Sequence, residues 1–69
     1  MHKAFLIIEG QSVLVGVFRS DSEAYIAGRM AWENWVSKNI PKEDRVYWTK
    51  EDSSDGEFGF GTSRLTVAN

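Results

Sequence analysis

One segment, residues 20–39, constrains the fold more than any other, because it is long enough and periodic enough for a helix of several turns. Ser20 is followed three residues later by Glu23, and this spacing lets the serine hydroxyl accept a hydrogen bond from the Glu23 amide at a helix start. Lys38 in the last turn and Pro41 just beyond it are typical of a helix end. We therefore predict one helix over residues 20–39 and strands or turns elsewhere.

One side of this predicted helix carries very little side-chain volume. Spacing residues 100° apart gathers the following on that side: Ala24, Ala27, Gly28, Ala31 and Trp35. A glycine inside a helix costs roughly 1 kcal/mol relative to alanine, and a close approach to a sheet would offset that cost. We expect this side to pack on the sheet. Ile26 and Met30 lie on the opposite side, where a monomer should be polar.

Two strands are predicted before the helix. Residues 3–9 and 12–19 are rich in β-branched and aromatic side chains, and the Gly10-Gln11 link between them predicts a hairpin with a type II′ turn. That turn pairs Ile8 with Val13 and makes both faces apolar, with Ala4, Leu6, Ile8, Val13, Val15 and Val17 on one and Phe5, Ile7, Leu14 and Phe18 on the other. Because one helix covers one face, the second face lacks a cover of its own.

Two further strands are predicted after the helix, over residues 45–50 and 57–67, with a bulge or a twist near residues 61–63. The order ββαββ gives an α+β fold in which one helix packs on a four-stranded antiparallel sheet. The strand order 2-1-3-4 avoids a parallel crossover. Residues 1–69 are expected to form a single domain, since a chain of this length holds only one thin core.

The composition argues against catalysis. The chain has no cysteine and one histidine, His2, so it lacks a thiol nucleophile and a thiolate metal site, and no other nucleophile lies in a motif beside a base. We therefore expect no enzyme, no catalytic residue, no metal and no cofactor. We also expect no membrane association and a cytoplasmic location, because no segment has the length and apolar character of a membrane span and the start lacks a signal-peptide pattern.

Negative charge is concentrated in the second half of the chain, between Glu43 and Glu57, and the formal net charge is −2 at pH 7. This distribution argues against a nucleic-acid partner, because such affinity depends mainly on clustered Lys and Arg. A single-stranded nucleic-acid binder is nevertheless an alternative, since alternate aromatics on a strand can stack bases, as in RNA recognition motifs. Its candidate residues are Tyr47, Trp48, Phe58, Phe60 and Arg64.

Apolar and aromatic surface exceeds what one small core can hide, because the 69 residues include three tryptophans, two tyrosines and four phenylalanines. Exposed apolar patches usually mark an interface. We therefore predict a protein partner, and a homodimer is a second possibility. The candidate interfaces are the uncovered face of the first hairpin and the Ile26/Met30 side of the helix. The candidate partner-binding residues lie on the helix and in the acidic loop that follows it: Tyr25, Ile26, Met30, Trp32, Glu51, Asp52 and Asp55.

Residues 14–24, LVGVFRSDSEA, resemble the strand end and helix entry of many small proteins of bacteriophages and mobile elements. Many proteins of that group are acidic single-domain inhibitors or modulators of a host machine, and anti-CRISPR proteins are among them. The resemblance implies a phage-type module that occludes a host protein complex in the host cytoplasm without chemistry. It carries over no site residue, because the group shares no site motif. A structural homo-oligomer is the other alternative.

Overall fold

The computed structural model describes residues 1–48 and 56–66 of the chain. Its elements are, in chain order, β1 (His2–Ile8), β2 (Gln11–Phe18), α1 (Asp21–Asn39), a 3-10 turn (Lys42–Asp44), α2 (Arg45–Trp48) and β3 (Phe58–Arg64). The three strands form one antiparallel sheet in the order β2-β1-β3.

The predicted four-stranded sheet is wrong. The described residues form three strands, and β3 occupies the position beside β1 that the sequence assigned to residues 45–50. Within that segment Arg45–Trp48 is helix α2, and residues 49 and 50 lie outside the described residues. Strand propensity is sensitive to context, and here contacts with α1 outweigh the strand preference of Val46 and Tyr47.

Those contacts begin at Arg45, whose guanidinium donates hydrogen bonds to the last carbonyls of α1. Arg45 Nη2 lies 2.8 Å from the Ser37 oxygen, and Arg45 Nε lies 2.9 Å from the Ile40 oxygen. Carbonyls at a helix C-terminus have no partner within the helix, so a cationic donor satisfies them and also complements the helix dipole. The chain after Pro41 is thereby held against the end of α1 instead of extending into a strand.

The hairpin turn consists of Glu9 and Gly10, one residue earlier than predicted. Both have positive φ, 53° and 79°, as a type I′ turn requires. Ile8 consequently pairs with Gln11 instead of Val13, a displacement of two residues from the predicted register. A displacement of two leaves side chains on their predicted faces, because the period of a strand is two.

A β-bulge in β2 then changes two face assignments. Val15 is the extra residue, opposite the step from Ala4 to Phe5. Beyond it Val17 lies on the face predicted for Phe18, and Phe18 lies on the face predicted for Val17. Of the bulge or twist predicted at residues 61–63, the bulge is absent, because β3 pairs with β1 without a shift of register.

Helix α1 confirms the predicted start signal, since the Ser20 hydroxyl accepts a hydrogen bond from the Glu23 amide at 3.2 Å. The packed side is rotated slightly from the prediction. Ala24 and Gly28 are buried as expected, whereas the predicted Ala27, Ala31 and Trp35 are half-buried. The line of buried residues is Ala24, Gly28, Trp32 and Val36.

Gly28 lies at a close contact between α1 and the sheet. A Cβ at this position would lie 3.1 Å from Cδ2 of Phe60 and 3.5 Å from the Cβ of Ala4. Ala4 and Ala24 are both fully buried. Small residues on both elements thus bring the helix backbone against β1. We call the sheet face that α1 covers the inner face; its β1 residues include Ala4, Leu6 and Ile8.

The core continues into an aromatic cluster near the end of α1, formed by Trp32, Trp35, Trp48 and Phe58. The Trp32 and Trp35 rings stack with centroids 5.3 Å apart, and Trp48 lies 6.2 Å and 6.0 Å from them. Phe58 meets Trp48 edge to face at 5.2 Å. Trp32 Nε1 also donates a hydrogen bond to the Trp48 backbone oxygen at 3.0 Å. The cluster therefore joins α1, α2 and β3.

Substituting Gly28 tests the helix contact. Gly28→Leu should lower the free energy of unfolding by about 1–3 kcal/mol, because the added side chain overpacks the space before Phe60 and Ala4. Ile26→Leu, on the exposed side of the same helix, should change it by less than about 0.5 kcal/mol. Urea denaturation followed by circular dichroism measures both, and equal midpoints for Gly28→Leu and the parent would show that the packed side is misassigned.

Substituting Arg45 tests what holds α2 in place. Arg45→Met should cost about 1–2 kcal/mol of stability, since two carbonyls at the end of α1 lose a charged donor. Arg19→Met removes the same charge from an exposed position and should cost less than about 0.5 kcal/mol. Thermal melts of the two variants compare the losses, and an equal loss for both would contradict a specific role for Arg45.

Candidate protein-binding surfaces

The first candidate surface is an apolar ridge on the exposed side of α1, which we call the helical ridge and define as Tyr25, Ile26 and Met30. Ile26 is 58% exposed and Met30, one turn later, is 65% exposed. Tyr25 is 40% exposed, and its ring lies 5.5 Å from the Phe60 ring in a tilted arrangement. Tyr25 thus joins the ridge to the packed side of the helix.

Polar residues border the helical ridge. Arg29 Nε lies 3.1 Å from Glu33 Oε1, one helical turn apart, and both side chains are about half exposed. Such a surface pair contributes little to stability, because solvent screens it. Its two charges compensate each other, so the ridge presents apolar side chains beside a polar rim without a strong local charge. Protein interfaces share this arrangement of apolar centre and polar border.

The structure places the fourth helical candidate, Trp32, in the core instead of on the ridge. Trp32 is only 4% exposed and belongs to the aromatic cluster. On the helix it lies at the flank of the small-residue side, where sequence alone cannot decide between burial and exposure. The acidic candidates Glu51, Asp52 and Asp55 lie outside the described residues.

The alternative nucleic-acid residues do not form one accessible surface. Phe58 and Phe60 pair with Ile8 and Leu6, so their side chains lie on the inner face beneath the helix. Phe58 packs in the aromatic cluster with Trp48. A base could stack on either phenylalanine only by displacing these contacts. Of the other two candidates, Tyr47 is 64% exposed on α2 and Arg64 is exposed at the end of β3.

The second candidate surface is the outer face of the sheet, opposite α1. Its apolar residues are Phe5, Ile7, Leu14 and Val17, as the strand register shows. Leu14 is 62% exposed and Val17 is 46% exposed, whereas Phe5 and Ile7 are half-buried. The sequence predicts an uncovered apolar hairpin face as a candidate interface, but it places Val17 on the face opposite Phe5, because the bulge carries no local signal.

A small group of polar side chains connects the starts of β1 and α1 with β3. Thr62 Oγ1 donates a hydrogen bond to Asp21 Oδ1 at 3.0 Å, and His2 Nδ1 lies 4.0 Å from the same oxygen. The group joins the start of β1, the start of α1 and β3, which is a structural role. Among residues 1–48 and 56–66, no set of three or more His, Asp or Glu side chains is placed to hold a metal ion.

The described part of the chain also contains no helix that is long and apolar enough to cross a membrane. Comparison with protein-family models, with curated proteins and with solved structures finds no match to this chain. The function must therefore be inferred from the chemistry of the two apolar surfaces.

A substitution of Phe60 tests whether its ring packs against the helix or is free to stack on a base. Phe60→Ala should lower the free energy of unfolding by about 1–3 kcal/mol, because a half-buried ring leaves its contacts with Gly28 and Tyr25. Met30→Ala removes an exposed side chain of similar reach and should cost less than about 0.5 kcal/mol. Thermal melts measure the two values. An unchanged melting temperature for Phe60→Ala would mean that the ring is free to stack on a ligand.

Proposed function

We propose that this chain is a small protein-binding module that blocks a surface of a protein complex by occupying it and performs no chemistry of its own. The observation that carries this proposal is the helical ridge, in which Ile26 and Met30 are both more than half exposed. Neighbouring exposed aliphatic side chains on a helix are the usual anchors of helix-in-groove recognition, in which one helix face enters an apolar groove of the partner.

The packing of α1 supports a preorganised binding element. Ala24 and Gly28 fix the buried side of the same turns against the sheet, so the exposed side is presented on a rigid helix. A rigid element loses little conformational entropy when it binds, and the affinity rises accordingly. Met30 adds adaptability, because an unbranched thioether side chain can fit an irregular apolar groove.

Charge supports a partner with a basic surface. The net charge is −2, and Glu43 and Asp44 are exposed in the 3-10 turn after α1. Negative charge on a protein speeds its association with a positively charged surface, and this effect weakens as salt is added. With the resemblance of residues 14–24 to phage proteins, this favours a phage-type modulator of a host complex, of the anti-CRISPR or host-takeover kind, in the host cytoplasm.

The ridge is tested by affinity capture with matched variants. The immobilised protein is incubated with a bacterial lysate, and a retained protein is identified, purified and titrated against each variant. Met30→Glu should weaken binding at least about tenfold, since it places a charge at an apolar anchor. Met30→Leu keeps the anchor apolar and should bind within about threefold of the parent, and Gln11→Glu, which adds the same charge at the hairpin, should do likewise.

Two results would contradict the proposal. The first is equal binding by Met30→Glu and the parent, which would remove the ridge from the interface. The second is retention of no protein above a scrambled-sequence control while a pool of RNA or DNA oligonucleotides binds, with affinity that falls steeply as salt increases. Thermal melts of each variant confirm that the folded state is intact, as expected at an exposed position.

A further inference from the structure

We propose that the outer face of the sheet is the interface of a symmetric homodimer, in which two copies of the chain stack their sheets face to face. This proposal rests on different residues from the helical ridge, and on the opposite side of the sheet. The homodimer and the binding role of the helical ridge can therefore be tested, and contradicted, independently.

The chemistry of the outer face favours an apolar partner. Phe5 and Leu14 lie at its middle level, and apolar Ile7 and Val17 lie toward the two ends. Polar residues share those end levels, Ser12 beside Ile7 at one end, and Lys3 and Ser63 beside Val17 at the other; Lys3 Nζ lies 5.9 Å from the centroid of the Phe5 ring. An antiparallel sheet that faces water on one side normally carries polar residues there. Among residues 1–48 and 56–66, the element that covers a sheet face is α1, and it packs on the inner face through Ala4 and the core residues around it, not on the outer one.

The relief of the outer face is uneven. Leu14 and Val17 stand exposed along β2. On the β3 side the residue opposite Phe5 is Gly61, and a Cβ there would lie 2.8 Å from Cζ of Phe5, so the ring lies across the glycine. The surface is therefore raised along β2, where Leu14 and Val17 project, and flatter along β3, where the Phe5 ring covers the Gly61 backbone.

This relief is complementary to itself under one symmetry operation. A two-fold axis parallel to β1, placed between two stacked sheets, sets β2 of each copy over β3 of the other. Phe5 pairs with both Leu14 and Gly61, so these three residues share one level along the strands. Leu14 of one copy then lies over the Phe5 ring and Gly61 of the second. A two-fold axis perpendicular to the strands, in the plane between the sheets, would instead set β2 of one copy on β2 of the other. The projecting side chains of the two β2 strands would then oppose each other.

The size of the face is sufficient for a weak dimer. Three strands of seven or eight residues measure about 23 by 14 Å at standard strand dimensions. Each face therefore covers about 320 Å², and two such faces packed about 10 Å apart, as in a β-sandwich, cover about 640 Å² in total. That is below the size of a stable interface and within the range of weak, transient ones, so we expect a dissociation constant in the upper micromolar range.

Sedimentation equilibrium with matched variants tests the dimer, using the full chain from about 1 µM to about 1 mM, which brackets that range. The parent should pass from monomer to dimer. Leu14→Glu should raise the dissociation constant at least about tenfold, because it sets a charge against the Phe5 ring of the second copy. Leu14→Met keeps the position apolar and should dimerise within about threefold of the parent. Met30→Glu should leave dimerisation unchanged.

Three outcomes overturn the proposal. A parent that stays monomeric throughout the concentration range excludes the interface. A dimer that Leu14→Glu leaves intact and Met30→Glu dissociates assigns self-association to the helical ridge, which would then not be free for a different protein. A dimer insensitive to both variants places the interface elsewhere, such as the exposed edges of β2 or β3. Because Leu14 is 62% exposed, Leu14→Glu should stay folded, and a thermal melt checks this.

Discussion

The fold depends on the close contact between small residues of α1 and β1. Gly28 on the helix meets Ala4 on the strand, and the fully buried Ala4 and Ala24 leave room for the helix backbone to approach. This contact decides which face of the sheet is covered. Large side chains cannot occupy the same layer, so the tryptophans gather near the end of the helix, where they form the aromatic cluster with Phe58. The helical ridge and the outer face are two groups of apolar residues that this contact leaves without a cover from α1.

The two apolar surfaces lie on opposite sides of the molecule, so both can be used at once. In a face-to-face dimer the sheets form the two inner layers and the helices the two outer layers. The ridge of each copy then points away from the dimer interface. Such a dimer would present two binding helices, and a partner complex with repeated subunits would be held by both, with an apparent affinity above that of one helix.

The sequence predicts α1 and the existence of the hairpin correctly, because both leave local signals: the Ser20 cap, the small-residue side and a turn glycine between two β-rich segments. It also identifies Ile26 and Met30 as exposed apolar positions, which the structure confirms. Helical geometry suffices for that, since these residues lie opposite the packed side. It does not suffice for Trp32, which lies at the boundary and is buried by contacts with α2.

The errors come from contacts between elements. The turn lies at Glu9 and Gly10 instead of the predicted Gly10 and Gln11. It requires a positive φ at Glu9, which is uncommon for glutamate and therefore is not predicted from the residue type. The predicted strand at residues 45–50 fails because Arg45 binds the carbonyls at the end of α1 and Trp32 donates to Trp48, and neither contact is visible as a pattern in the sequence. The sequence offers no specific functional motif, so the function has to be inferred from exposed side chains.

The most direct test of this account asks which face of the sheet α1 covers, and a nuclear Overhauser experiment on the labelled protein answers it. We expect cross-peaks from the Ala4 methyl group and the Phe60 ring to the Gly28 α-protons, because these groups are in contact on the inner face. Cross-peaks from Ile7 or Leu14 to the buried side of α1 would contradict the account, since they would place the helix on the outer face and remove the surface proposed for the second copy.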